Sequence, residues 1–250
     1  GTVGLASANL KLTGEATGDN AGYSLAGAGD VNDDGIDDLA IGAPNDDDGE
    51  TDAGAVYVLY GPLSSGTVGL ASADLKLTGE ATGDATGRSI AGAGDVNDDG
   101  VDDLAVGVVG DEDGGNNAGA VYILYGPLSS GTVGLASADL KLTGEATGDQ
   151  AGTSLAGARD VNDDGIDDLV IGARYEATAY YDSGAVYVLL GPLTTGEVSL
   201  STASLKLTGE GSGHYLGHAV VLADVNDDGL EDIILGTVQQ DTYILLGLGY

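Results

Sequence analysis

Four nine-residue acidic segments in the chain have the residue types and the spacing of a cation-binding loop. They span residues 30–38, 95–103, 160–168 and 224–232, and each has oxygen-bearing side chains at positions one, three, five and nine and Gly at position six. Alternate residues of a tight loop turn inward, and Gly permits the sharp bend that wraps the backbone around an ion. Carboxylate and amide oxygens at this spacing suit a hard cation.

The predicted ligands are the side chains at positions one, three, five and nine and the backbone carbonyl at position seven. In chain order, these residues are Asp30, Asn32, Asp34, Ile36 and Asp38; Asp95, Asn97, Asp99, Val101 and Asp103; Asp160, Asn162, Asp164, Ile166 and Asp168; Asp224, Asn226, Asp228, Leu230 and Asp232. Several protein oxygens in a flexible loop favour calcium over magnesium. The sequence therefore predicts four calcium ions per chain.

The alternative is a solvated acidic turn, because Asp, Asn and Gly are common turn residues. Four copies at intervals of 65, 65 and 64 residues favour metal binding instead. The carboxylates crowded into each segment also repel one another unless a cation lies between them.

The residue at loop position twelve excludes an EF-hand, which needs a bidentate Glu there. It is Ile41, Val106, Ile171 or Leu235, each within an apolar stretch that is typical of a β-strand. Dockerin-type modules are excluded for the same reason, since they too need an acidic residue there and a helix after it. The metal loop is thus expected to join two strands.

Composition narrows the class of protein. The 250-residue chain has 41 acidic and 7 basic residues, a net charge of -34 and no Cys. Nucleic acids and anionic membranes are not expected partners, because both need Lys and Arg clusters. No apolar run approaches a membrane span. Since calcium is abundant outside cells and the chain begins without Met, we expect a secreted, extracellular or cell-surface segment whose signal peptide has been removed.

An internal repeat predicts the architecture. Units start near residues 1, 66, 131 and 196, and each contains Leu-Lys-Leu-Thr-Gly-Glu, a Gly-rich segment, the acidic loop, an apolar stretch and a segment like Ala55-Val-Tyr-Val-Leu-Tyr, for which Thr242 begins the fourth copy. Four β-type stretches per unit, without helical periodicity, predict an all-β single domain over residues 1–250. We expect a β-propeller with four blades of four antiparallel strands. The lysines of the Leu-Lys-Leu-Thr segments are expected on an exposed outermost strand, where charge prevents unwanted pairing: Lys11, Lys76, Lys141 and Lys206.

The unit resembles the FG-GAP repeat, the blade unit of the integrin alpha-subunit propeller. The resemblance rests on residues 30–44 and 54–61 and their counterparts, and it covers essentially the whole chain. It implies a four-stranded blade with calcium in the loop between its first and second strands, held by the ligands named above. Because integrin propellers have seven blades and this chain has material for four, integrin-like ligand binding is not carried over.

The repeat departs from the family pattern at several positions. The Phe of the Phe-Gly pair is replaced, the Gly-Ala-Pro element survives only at Gly42, and Asp stands where Gly is usual at loop position four. The residues at the Phe position are Ala21, Thr86, Ala151 and Leu216, and those at loop position four are Asp33, Asp98, Asp163 and Asp227.

The two ends of the repeat pattern are complementary. The chain begins with a fourth-strand segment, residues 9–14, and ends with the third strand of its last unit. Residues 9–14 are expected to complete the last blade, either of their own chain or of a neighbouring one. Both outcomes remain open from the sequence.

The expected function is a calcium-stabilised extracellular structural or adhesive module, such as a surface or filament building block. The alternative is a lectin-like carbohydrate- or protein-binding module, for which Tyr175, Tyr180 and Tyr181 in the long third-unit loop are candidates, although they could simply cover their own loop. A hydrolase is a less favoured alternative, and we expect no enzyme, because the acidic residues recur identically and no nucleophile motif is present. His214 and His218 lack the neighbours of a zinc site.

Overall fold

A computed structural model describes residues 4–239 and 241–247 of the chain. The described part is all-β, as the sequence predicts, with four single 3₁₀ turns at Leu5–Ser7, Leu70–Ser72, Leu135–Ser137 and Leu200–Thr202 as its helical residues. The strands are β1 (Leu10–Thr13), β2 (Ser24–Gly29), β3 (Asp38–Ala43), β4 (Ala55–Leu59), β5 (Gly66–Gly69), β6 (Leu75–Thr78), β7 (Thr86–Gly94), β8 (Asp103–Val108), β9 (Ala120–Leu124), β10 (Gly131–Gly134), β11 (Leu140–Thr143), β12 (Ala151–Arg159), β13 (Asp168–Ala173), β14 (Ala185–Leu189), β15 (Gly196–Ser199), β16 (Leu205–Thr208), β17 (Ala219–Ala223), β18 (Asp232–Gly236) and β19 (Thr242–Leu245).

Three of the four main sheets take three antiparallel strands from one repeat and a fourth from the following repeat, and the last sheet has only its own three strands. The antiparallel sets are β2-β3-β4-β6, β7-β8-β9-β11, β12-β13-β14-β16 and β17-β18-β19. We refer to them as sheets 1 to 4. The acidic loops connect the first and second strands of each sheet, where the family resemblance expects them.

A short strand that the sequence analysis did not assign lies outside the Leu-Lys-Leu-Thr strands. The Gly-Thr-Val-Gly segments pair in parallel, β5 with β1, β10 with β6 and β15 with β11. Sheets 1 and 2 therefore have five strands rather than the four antiparallel strands expected, and the Leu-Lys-Leu-Thr strand is not their outermost one. Two Gly residues in four conceal this strand, because Gly is depleted in strands.

The fourth copy of the Ala-Val-Tyr segment is shifted by one residue from the expected alignment. Tyr57 lies opposite Ile41, and Tyr243 lies opposite Leu235 at the same place in sheet 4. Tyr243 therefore corresponds to Tyr57, and the residue that corresponds to Ala55 is Asp241 rather than Thr242.

The hydrophobic core lies between neighbouring sheets. Val58 and Leu77 of sheet 1, for example, pack with Leu104 and Tyr122 of sheet 2, and all four are fully or nearly fully buried. The inner strands β2, β7, β12 and β17 pack against one another in that order. The small residues of these strands allow the sheets to approach closely, as the sequence predicts for inner strands.

Paired glycines set the closest approach between sheets. A Cβ added to Gly42 would lie 2.2 Å from the carbonyl oxygen of Gly87, and one added to Gly107 would lie 2.4 Å from that of Gly152. Ser24 Oγ donates a hydrogen bond to the same Gly87 oxygen at 2.7 Å. The Gly of the family's Gly-Ala-Pro element thus packs against the Gly of the Phe-Gly pair in the next sheet.

No helix of the described residues has the length and apolar character that crossing a membrane requires.

Candidate metal centre

The backbone of the acidic loops explains the Asp at position four. Asp33, Asp98, Asp163 and Asp227 have φ between 60° and 63°, and Gly35 two positions later has φ 89°. Asp is one of the few residues with a side chain that adopts the left-handed region readily. Asp can therefore replace the usual Gly at this position without changing the course of the loop.

The side chains of positions one, three and five turn into the loop. Asp30 accepts hydrogen bonds from the backbone N–H groups of Asp34 (3.0 Å) and Gly35 (2.7 Å). Asn32 Oδ1 accepts from Asp34 N at 2.9 Å, and Asp34 Oδ1 accepts from Ile36 N at 3.0 Å. The same pattern recurs in the other three loops. The loops thus share one conformation that directs acceptor oxygens inward.

The Asp at position nine lies at the base of each loop and is buried. Asp38 is 4% exposed, and Asp103, Asp168 and Asp232 are 0% exposed. In every sheet this carboxylate accepts the N–H of the Gly that follows the third strand, for instance Gly61 N to Asp38 Oδ1 at 2.8 Å. The hydrogen bond ties the loop to the third strand. Asp38 Oδ2 has no hydrogen-bond partner among the described residues.

Burial raises the pKa of the position-nine carboxyl groups in the first three loops. The pKa of Asp103 is raised to about 7 and that of Asp168 to about 6, chiefly by desolvation. The pKa of Asp38 is raised for the same reason. The carboxylates at positions one and five add repulsion in each case. A cation in the loop would offset both effects, so the donor set fits a divalent ion.

In the described part of the chain, the tightest clusters of three carboxylate side chains lie outside the acidic loops. They are Glu15 with Asp46 and Asp48, and Glu80 with Asp111 and Asp113. The loop ligands therefore stay a prediction, supported by the inward oxygens and the buried position-nine carboxylates.

A lysine ammonium occupies each of these converging groups. Lys76 Nζ lies 2.9 Å from Glu15 Oε2 and 3.2 Å from Asp46 Oδ2, pairs with Asp48, and sits 4.9 Å from the centre of the Tyr57 ring. Lys141 and Lys206 repeat the arrangement over Tyr122 and Tyr187. The charge of these carboxylates is thus balanced within the protein.

The expectation that these lysines protect an exposed edge is wrong for three of the four. The side chains of Lys76, Lys141 and Lys206 are only 12%, 13% and 24% exposed, and only Lys11 is exposed. The carboxylates that surround each lysine come from two other segments, up to 61 residues away in sequence. The spacing within one repeat therefore does not reveal the cluster.

Position eight of the loop connects neighbouring sheets, a role that the sequence analysis missed. Asp102 accepts a hydrogen bond from Asp30 N at 2.8 Å, and Asp167 accepts one from Asp95 N at 3.0 Å. Between sheets 3 and 4, Glu231 forms an ion pair with Arg159 at 2.8 Å. Each of the first three candidate metal loops is therefore held by the next one. The only signal in the sequence is an acidic residue at position eight of all four copies.

The tyrosines of the third-unit loop divide into two kinds. Tyr175 packs edge-on against Tyr215 with ring centres 5.5 Å apart, and Arg174 lies 4.6 Å from the Tyr175 ring centre. Tyr180 and Tyr181 are 53% and 76% exposed. Tyr175 thus packs against a residue of the fourth unit, whereas the other two are available for contacts.

Comparisons with known proteins agree with this geometry. A profile of the FG-GAP repeat matches residues 21–59 and 151–189. Human integrin alpha-7 is 33% identical over 199 residues, which are 79% of this chain and 15% of that protein. Integrin alpha-PS2 of Drosophila melanogaster is 33% identical over 196 residues, 72% of this chain and 13% of that protein.

A relative with an enzyme name is also similar. Bovine phosphatidylinositol-glycan-specific phospholipase D is 34% identical over 154 residues, 57% of this chain and 17% of that protein. The matched region is therefore a small part of each relative. The chain belongs to the FG-GAP repeat family and has integrin alpha subunits among its relatives.

Proposed function

We propose that the chain is a calcium-stabilised extracellular β-propeller module with a structural or adhesive role. The observation that carries the proposal is the fourfold recurrence of one loop with inward oxygens above a buried carboxylate. A site used once for chemistry would be singular, whereas a site repeated in every structural unit serves stability.

Each loop would hold one ion through the residues predicted above. Bound calcium supplies positive charge at the centre of the loop. Asp38 links the ion to the base of the second strand and, through Gly61, to the end of the third. Asp102 extends the connection to the next sheet. Calcium would thus stiffen each blade and the contacts between blades.

The four-blade architecture is part of the proposal. Sheets 1 to 4 follow the repeat, share one register and pack through their inner strands, as blades around an axis do. The extracellular or surface location is supported by the calcium-type loops and by the similarity to integrin alpha subunits. Assembly with further copies would suit such a building block.

A role in adhesion or binding is preferred over hydrolysis. Several of the similar proteins are integrin alpha subunits, and the similarity to the phospholipase D involves only 17% of its length. The acidic residues of this chain recur from unit to unit or pair with lysines, so they do not form a singular catalytic pair.

A lectin-like module is the second candidate, favoured by the exposed Tyr180 and Tyr181. Exposed aromatic rings stack on sugar faces and often mark contact surfaces. A glycan-array screen tests it, with Tyr180→Ala/Tyr181→Ala as the matched variant. Binding that disappears in the variant would favour the lectin; no binding to any glycan leaves the structural role.

Thermal unfolding with and without calcium tests the main proposal. An ion that binds only the folded state stabilises it by about 2.7 kcal/mol per site at a concentration 100 times its Kd. The melting temperature should therefore fall markedly on chelation and return when calcium is added. An unchanged melting temperature after complete chelation would refute a stabilising role for calcium.

A further inference from the structure

The two ends of the series of sheets expose positions that are buried or partly buried in the other sheets. Leu5 is 93% exposed, whereas its counterparts Leu70, Leu135 and Leu200 are 2%, 1% and 1% exposed. Leu25 on β2 is 64% exposed, whereas Ile90 at the same place on β7 is 7% exposed. We call the surface of Leu5, Lys11, Leu25, Asp37 and Leu63 the leading face.

The opposite end has a matching set. Ile244 on β19 is 52% exposed, whereas its counterparts Val58, Ile123 and Val188 are all 0% exposed. Val225 in the fourth acidic loop is 51% exposed, whereas Val31, Val96 and Val161 are 0% exposed. We call the surface of Glu210, Val221, Val225, Tyr243 and Ile244 the trailing face.

The polar groups of the two faces are also complementary. Among the lysines of the four Leu-Lys-Leu-Thr segments, Lys11 alone forms no ion pair within the described residues. Glu210 and Tyr243, the counterparts of Glu15 and Tyr57, line an open groove of about 240 Å³. In the three other sheets, a lysine ammonium lies at the corresponding position over the tyrosine ring.

Two further types of hydrogen bond between neighbouring sheets have, in the described part of the chain, unpaired members at the ends of the series. Leu128 N donates to Val31 O at 2.6 Å and Leu193 N to Val96 O at 2.7 Å, and within the described residues no such bond is made by Leu63 on the leading face or to Val161 and Val225. Asp102 and Asp167 accept N–H groups from the preceding loops, whereas Asp37 is exposed.

We propose that the trailing face binds the leading face of a second copy of this chain. The contact continues the interface that is already present between sheets 1, 2 and 3, and it rests on the four-blade architecture proposed above. Strand β1 of the second copy pairs antiparallel with β19, as β16 pairs with β14. In that register Lys11 lies opposite Tyr243, as Lys206 lies opposite Tyr187, and its ammonium reaches Glu210.

Two copies joined in this way in both directions close a ring. The contact is heterologous, because different surfaces of the two copies meet, and such contacts close only when the rotation allows. A two-copy ring would contain eight blades, within the range that propellers adopt. A second copy is preferred over the same chain's own end, because β1 and β19 lie at opposite ends of the packed series of sheets.

Charge predicts how the association responds to salt. Each copy carries a net charge of -34, so two copies repel one another over long range. Salt screens this repulsion, with a Debye length of about 8 Å at physiological ionic strength. Association should therefore strengthen with added sodium chloride in the presence of calcium.

Sedimentation of the 250-residue chain in calcium tests the contact. We expect a species of twice the chain mass. Leu25→Asp should reduce it to the monomer without unfolding, because Leu25 is already exposed, and Tyr181→Asp, on a distant loop, should leave it unchanged. Lys11→Glu should also dissociate the copies, and Lys11→Glu/Glu210→Lys should restore association. A wild-type chain that is monomeric in calcium and high salt overturns the proposal.

Cross-linking distinguishes a second copy from closure within one chain. The native chain has no Cys, and the proposed register places Thr13 opposite Asp241. A mixture of Thr13→Cys chains and Asp241→Cys chains, treated with a short bifunctional thiol reagent, should give cross-linked dimers. If the mixture gives none while the double variant Thr13→Cys/Asp241→Cys cross-links within one chain, the ring closes internally and the proposal is wrong. Failure of either kind in a chain that still binds calcium leaves the proposed module function intact.

Discussion

At the residue scale, the buried Asp at position nine links loop chemistry to the fold. It accepts a backbone N–H from the end of the third strand, yet in the first three loops burial raises its pKa, as for Asp168 to about 6. A carboxyl that is buried among other carboxylates gains from a bound cation. The same group therefore positions the loop and supplies the strongest reason for metal at this place.

Removing one first-position ligand should empty one loop only. Asp30→Ala deletes a predicted ligand together with the acceptor for Asp34 N and Gly35 N. We expect calorimetric titration with calcium to find one site fewer than in the wild type, because the other loops keep their own ligands. Glu50→Ala, which removes an exposed charge outside the loops, is the control. Loss of all sites together would argue against independent loops.

Removing a buried lysine should destabilise the fold more than removing an exposed one. Lys76→Met leaves Glu15, Asp46 and Asp48 without their counter-charge, and Asp46 is 2% exposed. Loss of one partner from a buried ion pair typically costs about 3 kcal/mol of unfolding free energy or more. Urea unfolding in dilute solution measures the change in unfolding free energy. The control is Lys11→Met, which alters an exposed lysine and should change that free energy by about 0.5 kcal/mol or less. Equal effects of the two substitutions would show that the buried cluster contributes nothing.

At the scale of strands and sheets, paired glycines govern how closely neighbouring sheets approach. Gly107 Cα faces Gly152 across the gap between sheets 2 and 3, and Ser89 Oγ donates to the Gly152 carbonyl at 2.6 Å. The contact leaves no room for a side chain. The family's Gly-containing motifs thus have a packing reason in this chain that is independent of any ligand.

Adding a methyl group at Gly107 should destabilise the fold, whereas adding one at Gly236, the corresponding glycine of sheet 4, should be tolerated. In Gly107→Ala the new Cβ would lie 2.4 Å from the Gly152 oxygen, so the sheets must separate, at about 1–3 kcal/mol. In Gly236→Ala the nearest atom is Ala219 Cβ at 3.4 Å, an ordinary contact. Chemical unfolding of both variants compares them, and a Gly236→Ala chain that is as unstable as Gly107→Ala would contradict this packing account.

Sequence periodicity predicts most strands, because the apolar stretches, turn residues and acidic loops recur in every unit. It does not predict the parallel Gly-Thr-Val-Gly strand, because its two Gly residues have weak strand preferences and its partner lies one repeat away. It also places Lys76 wrongly, since Glu15, Asp46 and Tyr57 meet it only after folding. The loop ligands follow from spacing, whereas the bond from Asp102 to the neighbouring loop depends on how two sheets pack.

At the scale of the whole molecule, charge and repetition act together. The chain carries 41 acidic residues, and the structure balances some of them with buried lysines and others, in our proposal, with metal. In that proposal calcium does more than fill loops, because it would lower the repulsion within each sheet and hold neighbouring loops in place. The stability of the entire series of sheets should depend on it.

Calcium stoichiometry tests this account most directly. The chelator-stripped chain is titrated with calcium by isothermal titration calorimetry, and native mass spectrometry counts the ions bound at saturation. The account predicts four ions per chain, one for each acidic loop. Fewer than three ions, or binding that persists unchanged when the position-one Asp of every loop is replaced by Ala, would contradict it.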